Sequence, residues 1–401
     1  MDYIIGCDVG GTNTRLQLFA VTNELEAIIH AAAPGTLIDS QKYMNQDYES
    51  FQSILVEFLG KNKYINKKPN VICLAVAGPI NGRKAELTNR NWIIDCDFLA
   101  HEIGSHFVLI NDFVAMGYGL LTLDENKECK ILQKGNRVKG APLACIGAGT
   151  GLGECYLTAS SSGEYTCYAS EGGHGEFAPR DDLEIKLLKY LQNKFSNKYR
   201  ASVERVVSGP GILNIYEFLV QENPLDTNQD VAKQLESARD LKPAVIAQNI
   251  ENCKNCKRSF DIFLSHYGCE AGVAALKWIP RGGLYLTGGI TQKNVDTIIN
   301  PNGDFMKSFI DKGRLSGVVK YVPLYAVLVE DLGERGAHWQ AFAEYKRLLS
   351  NSNNISNNNN KVIVRTEKKK DDFTILTNVA IGLGICVIVG NIYSRILRNN
   401  N

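Results

Sequence analysis

The sequence YIIGCDVGGT occupies residues 3–12 and joins an apolar run to an acidic turn with two glycines. The apolar part, residues 3–7, predicts a β-strand that begins almost at the start of the chain. The turn at residues 8–12 has the build of a phosphate-binding loop, because glycines without a Cβ let backbone N–H groups approach an anion closely. Asp8, at the strand end, would hold Mg²⁺ through water. Taken alone, the motif fits an acidic hairpin turn equally well.

Two further glycine turns follow apolar strands later in the chain. The first is GAGTGLG at residues 147–153, where the Thr150 hydroxyl is placed to donate to a terminal phosphate oxygen. The second is LTGGI at residues 286–290, where a nucleoside can lie against bare backbone. Neither is a Walker loop or a dinucleotide fingerprint. The three turns together predict a nucleotide site, and the first two indicate a pair of related strand-turn units facing one ligand.

Short apolar runs alternate with longer amphipathic stretches along most of the chain. The predicted strands are residues 3–7, 71–77, 107–110, 143–146 and 284–287. The predicted helices, with apolar residues every three or four positions, are residues 51–59, 183–191, 213–220 and 260–278. This alternation predicts an α/β fold with mixed or parallel sheets covered by helices.

A carboxylate follows the predicted strand 107–110, in the sequence INDF at residues 110–113. At the carboxyl end of a strand, Asp112 would face a cleft, where it can orient an attacking hydroxyl and accept its proton during phosphoryl transfer. On its own, an Asn-Asp pair after a strand is more often a turn or a helix cap. The three glycine turns favour the catalytic interpretation.

Seven segments occur in an order and spacing that match a known family. They are GCDVGGTNTR (6–15), LTNRNW (87–92), INDF (110–113), GAGTGLG (147–153), EGGH (171–174), ERVVSGPG (204–211) and TGGI (287–290). From about Tyr3 to about Gln340 the chain resembles the bacterial-type glucokinases of the hexokinase, actin and Hsp70 superfold. The resemblance implies a two-domain hexokinase/actin-like (ribonuclease H-like) α/β fold that closes on a sugar in the cleft, with ATP along the large domain and Mg²⁺ between the phosphates.

The resemblance also implies a role for each site residue. Asp112 is the catalytic base, and it holds the far hydroxyls of the sugar together with Asn111. The hydroxyls near the anomeric carbon are held by Glu171, His174 and Glu204, and Asn89 contacts the sugar from the small domain. The nucleotide contacts are Cys7, Asp8, Val9, Gly10, Gly11, Thr12, Gly149, Thr150, Gly151, Gly288 and Gly289, with Asp8 also the Mg²⁺ residue. Carboxylates suit this task because a sugar hydroxyl is mainly a donor.

The sequence thus predicts ATP-dependent phosphorylation of glucose to glucose 6-phosphate. Two alternatives stay open: a membrane-tethered sensor that binds hexose and nucleotide without turnover, and a kinase for another hexose such as mannose or an amino sugar. The sensor is disfavoured because the acidic set is intact, namely Asp8, Asp112, Glu171 and Glu204 beside His174. The oligomeric state is also open, with a homodimer as one option.

The predicted domains are a small α/β domain at residues 1–110, completed by about 328–348, and a large α/β domain at 111–327. Residues 349–372 are Asn-rich and predict a disordered linker. Residues 373–394 lack formal charge over about 22 positions, close to the roughly 20 that a bilayer requires, and they follow Lys368, Lys369 and Lys370. This pattern predicts a C-terminal membrane anchor, with the mitochondrial outer membrane favoured and the endoplasmic reticulum next. An ordinary amphipathic tail is the alternative.

Composition restricts the partners and the compartment. Lys and Arg number 44 against 43 for Asp and Glu, a net charge of +1, so no general field attracts nucleic acid. Function must therefore come from local sites, and the partners that the resemblance implies are the small molecules glucose and ATP. Several of the 11 cysteines lie singly in apolar runs, as in proteins of a reducing cytosol. The start of the chain shows no secretory signal, so we expect a cytosol-facing protein that is cytoplasmic apart from its tail.

Overall fold

A computed structural model describes residues 1–21, 34–62, 67–87 and 90–351. The strands are β1 (Asp2–Val9), β2 (Asn13–Val21), β3 (Thr36–Met44), β4 (Val71–Val76), β5 (Ile80–Asn81), β6 (Lys84–Leu87), β7 (Trp92–Asp95), β8 (His106–Asn111), β9 (Cys129–Gln133), β10 (Leu143–Ala148), β11 (Leu152–Ala159), β12 (Tyr165–Ser170), β13 (Gly283–Thr287) and β14 (Leu324–Val327).

The helices are α1 (Phe51–Lys61), α2 (Cys96–Ile103), α3 (Asp112–Leu120), α4 (Glu125–Glu128), α5 (Asp182–Lys194), α6 (Gly209–Glu222), α7 (Gln229–Ser237), α8 (Lys242–Gln248), α9 (Lys254–Trp278), α10 (Gly289–Lys293), α11 (Val295–Ile299), α12 (Asp304–Ile310), α13 (Ser316–Lys320) and α14 (332–351). Short 3-10 turns at Gly172–His174 and Val203–Arg205 carry site residues.

The first sheet has the strand order β3-β2-β1-β4-β8. Strand β1 pairs antiparallel with β2 and parallel with β4, which in turn pairs parallel with β8. All six residues of β4, VICLAV, are buried. A continuous apolar run of this kind is typical of a central parallel strand covered on both faces. One core forms where β1, β2 and β4 pack with α1, through residues such as Phe51 and Phe58.

The second sheet has the order β12-β11-β10-β13-β14-β9 and repeats the arrangement of the first. Strand β10 pairs antiparallel with β11 and parallel with β13, as β1 does with β2 and β4. Each sheet therefore contains a hairpin, β1-β2 or β10-β11, whose turn is rich in glycine. The internal echo that the sequence indicates is confirmed as a repeated topology. A separate hairpin sheet, β5-β6-β7, accompanies the first sheet and was not predicted.

The predicted elements are confirmed with small changes of length. The five predicted strands correspond to β1, β4, β8, β10 and β13, and the four predicted helices to α1, α5, α6 and α9. The predicted fold class, a two-domain α/β sugar-kinase fold with a cleft, is also confirmed. The mixed sheets arise because each parallel set is extended by an antiparallel hairpin.

Helix α14 extends to residue 351, so the first residues of the predicted linker are helical. The rest of the linker and the predicted anchor at residues 373–394 lie outside the described residues. Among the residues that are described, no helix has both the length and the apolar character needed to cross a bilayer.

Candidate active site

A cavity of about 960 Å³ lies between the loops of the two sheets. It gathers most of the residues that the sequence singled out, namely Gly11, Thr12, Asn111, Asp112, Gly149, Thr150, Gly151, Glu171, His174, Glu204 and Gly288. The predicted contacts Cys7, Asp8, Val9, Gly10 and Gly289 do not line it. Asn89 lies outside the described residues.

The first glycine turn joins β1 to β2 and is held by a buried asparagine. The Gly10 N–H donates to the Asn13 carbonyl at 3.0 Å, which closes the turn. Asn45 is fully buried, and its Nδ2 donates to the Gly10 carbonyl at 2.8 Å. The Thr14 hydroxyl donates to Asn45 Oδ1 at 2.8 Å, and the Asn45 N–H donates to the Thr12 carbonyl at 2.9 Å. Asn45 therefore fixes the turn from behind, a role that no sequence motif signalled.

The second glycine turn joins β10 to β11. Its Gly149 N–H donates to the Gly151 carbonyl, and the Gly149 carbonyl accepts from the Gly209 N–H, both at 2.8 Å. Glu204 reaches this turn, because its Oε2 accepts from the Leu152 N–H at 3.0 Å. A Cβ at Gly151 would lie 2.6 Å from the same oxygen. Gly151 therefore makes room for the Glu204 carboxylate, which contacts the turn.

The third turn connects β13 to α10 and depends on a left-handed glycine. Gly288 has φ of 87°, a conformation that residues with a side chain rarely adopt. A Cβ there would also lie 2.5 Å from the Ala148 carbonyl oxygen at the end of β10. Gly288 thus brings this turn against the second one and exposes backbone to the cavity.

The candidate base lies where β8 passes into α3. Asn111 caps this helix, since its Oδ1 accepts from the N–H groups of Phe113 at 2.9 Å and Val114 at 3.3 Å. Asp112 is the first helical residue and lines the cavity, with its Oδ1 accepting from the Phe113 N–H at 2.8 Å. Burial raises the pKa of Asp112 and the charge of Glu171 adds to this, whereas the Phe113 N–H opposes it.

Two glycines of the GAGTGLG motif serve the packing of α3. A Cβ at Gly147 would lie 3.0 Å from the Phe113 ring, and a Cβ at Gly153 would overlap that ring. Both glycines are therefore needed so that the ring can pack flat on β10 and β11. Because Phe113 follows Asp112 directly, this contact also sets the position of the candidate base.

Glu171 and His174, which the sequence predicts to bind the sugar, flank a short 3-10 turn after β12. Their side chains are 79% and 60% exposed, and His174 Nε2 lies 3.8 Å from Glu171 Oε2. The two glycines between them pack inward, because a Cβ at Gly173 would overlap the Leu152 carbonyl oxygen. The glycines thus seat the turn on β11 while both flanking side chains face the cavity.

Asp8 lies behind the first turn in a cluster of charges. It pairs in register with Arg15 on β2, and Arg15 Nη1 donates to Glu334 Oε1 of α14. Burial raises the pKa of Asp8 to about 7, Glu334 adds to the shift, and Arg15 opposes it. Glu334, like Asn45, is a site neighbour that sequence reasoning missed, because its partner is 319 positions away.

The glucokinase family model matches residues 5–343 of this chain. The glucokinase of Nostoc sp. is 38% identical over 349 residues, which cover 84% of this chain and 98% of the relative. The glucokinase of Yersinia enterocolitica is 31% identical, over 84% of this chain and 95% of the relative.

Solved structures give the same answer for the fold. A glucokinase from an Antarctic psychrotroph matches with a TM-score of 0.68 at 27% identity, over 85% of this chain and 99% of that one. The glucokinase of Balamuthia mandrillaris, solved in complex with glucose, also has a TM-score of 0.68, over 85% of this chain and 93% of that one, and at 21% identity it shows the fold alone. The chain therefore belongs to the glucokinase family and is a hexose kinase that uses ATP.

Proposed function

We propose that this chain transfers the γ-phosphoryl group of ATP to the 6-hydroxyl of glucose, with Asp112 as the general base. The observation that carries the proposal is that Asp112 lines one cavity together with the glycine turns and with Glu171, His174 and Glu204. A carboxylate, a set of sugar acceptors and two anion-binding turns are the parts that phosphoryl transfer to a sugar needs.

In the proposed reaction the hydroxyl oxygen forms a bond to the γ-phosphorus as the bond between that phosphorus and the ADP oxygen breaks. The hydroxyl proton passes to the Asp112 carboxylate. Little covalent chemistry is left for the protein, so rate depends on positioning and charge stabilisation. The Phe113 N–H and the Phe113 ring contacts hold Asp112 at the start of α3 for this purpose.

The turns at residues 10–12 and 149–151 would hold the phosphates, with the Thr12 and Thr150 hydroxyls as additional donors. Both turns line the cavity through Gly11, Thr12 and residues 149–151, and neither presents a bulky side chain to it. Closure of the two domains over the sugar would exclude water and limit hydrolysis of ATP.

Asp8 would hold Mg²⁺ through water. Its carboxyl group is half-buried, and the nearby Glu334 and Asp112 charges raise its pKa, an excess of negative charge that suits a divalent cation. Asp8 lies outside the cavity lining, which agrees with a water-mediated contact. When bound, Mg²⁺ would neutralise part of the negative charge on the phosphates.

The test of the base is Asp112→Ala, with Asp182→Ala as the matched control, since Asp182 is the first residue of α5 and is exposed. The first variant should lose about 10²- to 10⁴-fold in kcat while it still binds glucose by calorimetry. The control should turn over normally. Near-normal kcat in Asp112→Ala refutes the assignment, and a panel of glucose, mannose and amino sugars tests the substrate.

The domain boundaries at residues 110 and 327 are part of the same proposal. The first sheet ends with β8 at Asn111, and the second sheet begins with β9 and ends with β14 at Val327. The start of α14 returns to the first sheet, where His338 stacks on Phe19. These positions support a small domain at 1–110 that the segment from about 328 completes.

We also propose that residues 373–394 anchor the enzyme to a membrane with its catalytic part facing the cytosol. The support is the sequence alone, an uncharged stretch after three lysines. A fluorescent reporter fused to residues 349–401 should locate to mitochondria or, second, to the endoplasmic reticulum. A diffuse cytosolic signal would refute the anchor.

A further inference from the structure

Glu154 is a buried carboxyl group next to the active site that the proposed reaction does not use. It lies on β11 just beyond the second glycine turn, in register with Ile146 on one side and Ser170 on the other. The residue is 1% exposed, and neither carboxyl oxygen has a hydrogen-bond partner. An ionised carboxylate in such a place is costly, so the group must be neutral or the structure around it must change.

The groups that face Glu154 come from three elements. Helix α9 contributes Glu270 and Lys277, which lie 3.9 Å apart as an ion pair, and Lys312 in turn faces Glu270. Strand β12 contributes Ser170. Burial raises the pKa of Glu154 to about 7, Glu270 adds to the shift, and Lys277 opposes it.

The third element is the sugar loop at residues 171–174. A Cβ at Gly172 would overlap Glu154 Oε2, so the loop backbone rests directly on the carboxyl group. The Gly172 N–H donates to Ser170 Oγ at 3.1 Å, and Ser170 is the neighbour with which Glu154 can share a hydrogen bond. Glu171 and His174 lie on either side of this contact, with their side chains exposed to the cavity.

We propose that Glu154 is a positioning residue for the sugar, whose neutral carboxyl group supports the 171–174 loop and whose ionised form displaces it. A neutral carboxyl has one O–H to donate to Ser170, so it can stay buried under Gly172. An ionised carboxylate has about four acceptor sites and the Ser170 hydroxyl can donate to one of them, so water must enter to pair the others and the loop must lift. The proposal rests on the proposed function of Glu171 and His174 as sugar residues.

The consequence is that glucose affinity falls as pH rises. If only the neutral form holds the loop, the apparent Kd equals the intrinsic Kd divided by the neutral fraction. With a pKa of about 7, the neutral fraction at pH 8 is about one tenth, so the Kd should rise about tenfold between pH 6 and pH 8. The affected quantity is glucose binding, because the loop carries Glu171 and His174, whereas Asp112 belongs to another element, as the first residue of α3.

The experiment measures the glucose Kd by calorimetry between pH 6 and pH 8.5, without nucleotide or Mg²⁺, so that the proposed ligands of Asp8 are absent. The wild type should show the rise, and Glu154→Gln, which keeps a neutral group of the same size, should bind glucose with a nearly constant Kd. Lys277→Met should move the rise to higher pH, because it removes the cation that opposes the shift. Glu270→Gln should move it to lower pH, because it removes the like charge.

Hydrogen exchange of the amides at residues 171–175, measured without glucose and corrected for intrinsic rates, reads the loop directly. Protection should fall above pH 7 in the wild type and stay constant in Glu154→Gln. This readout does not depend on sugar binding, so it separates failure of the inference from failure of the proposed function. A flat wild-type Kd, an equal rise in Glu154→Gln, or loop protection that ignores pH overturns the proposal. The Lys277 side chain is half-exposed, so Lys277→Met should fold even if the variants at the largely buried residues Glu154 and Glu270 do not.

Discussion

Asp112 combines two demands on one carboxyl group. As the proposed base it must be ionised to accept a proton, yet burial and the nearby Glu171 charge raise its pKa above the ordinary aspartate value of 3.8. A raised pKa makes a stronger base but removes the ionised form at low pH. The Phe113 N–H, which donates to Asp112 Oδ1, opposes the shift and so favours the ionised form.

The resulting pH dependence can be tested. Because the proposed base acts as a carboxylate, kcat/KM for glucose should fall as pH is lowered through the raised pKa of Asp112, with an acid midpoint above 3.8. Glu171→Gln removes a like charge, so it should move that midpoint to lower pH even though KM for glucose increases. Rates measured at saturating Mg-ATP check this. A midpoint at or below 3.8 in the wild type would contradict the assignment.

Asn45 allows a second prediction at the scale of single residues. Asn45→Ala should leave the Gly10 carbonyl and the Thr14 hydroxyl unpaired, at a cost of about 2 kcal/mol, and should loosen the first glycine turn. We expect KM for ATP to rise about tenfold, which corresponds to about 1.4 kcal/mol of binding.

Asn62→Ala is the matched control for Asn45→Ala. Asn62 is also buried in the first domain, where its Nδ2 donates to Asp39 Oδ2 at 2.8 Å, but it is not part of the turn. This variant should lose stability without a change in KM for ATP. A parallel rise of KM in both variants would show that the effect is general loosening. Urea unfolding and initial rates provide the two measurements.

At the scale of elements, the glycines around the β10-β11 turn are required for different reasons. A Cβ at Gly149 would meet no atom within 4 Å, so the lack of a side chain there keeps the cavity open. Gly151 makes room for the Glu204 carboxylate, and Gly153 makes room for the Phe113 ring. One motif thus combines open access to the cavity, space for a carboxylate and the packing of α3 within a single turn.

This division predicts opposite outcomes for two similar substitutions. Gly153→Ala places a methyl group into the Phe113 ring and should destabilise the protein by about 1–3 kcal/mol, as overpacking does. Gly149→Ala meets no atom within 4 Å and should change stability by less than about 0.5 kcal/mol, while it raises KM for ATP. Denaturant unfolding distinguishes them, and equal losses of stability would contradict the packing argument.

The sequence was sufficient for what local patterns encode. Apolar runs that end in glycine placed β1, β10 and β13, and the INDF motif placed Asp112 at the start of α3. The sequence offered two interpretations of Asn111, a helix cap and a site residue, and the structure shows it capping α3 and also lining the cavity. What could not be predicted depends on contacts between distant segments. Asn45 meets Thr14 across 31 positions and carries no motif of its own.

At the scale of the whole molecule, the two sheets have the same strand order around their glycine hairpins. Helix α14, which follows the second sheet in the chain, packs against the first sheet. A Cβ at Gly6 of β1 would lie 2.8 Å from the His338 backbone nitrogen, so α14 lies directly on this strand. A Cβ at Gly336 would overlap the Ala115 carbonyl oxygen of α3. One helix therefore contacts both the sheet that carries the first turn and the helix that carries Asp112.

His338 makes that junction sensitive to acid. Its ring is 7% exposed and stacks on Phe19 with centroids 3.5 Å apart, and burial lowers its pKa to about 4, against 6.5 for a free histidine. The folded state then binds fewer protons than the unfolded state, so the full contribution of neutral His338 to stability is present above pH 6.5 and is lost as pH falls through 4.

We expect the free energy of unfolding to decrease by up to about 3 kcal/mol over this window, and His338→Phe to remove that part of the slope. His101→Gln is the control, because its side chain is 87% exposed and the slope should stay as in the wild type. Urea unfolding at a series of pH values provides the comparison, and a wild-type slope in His338→Phe would place the acid sensitivity elsewhere in the molecule.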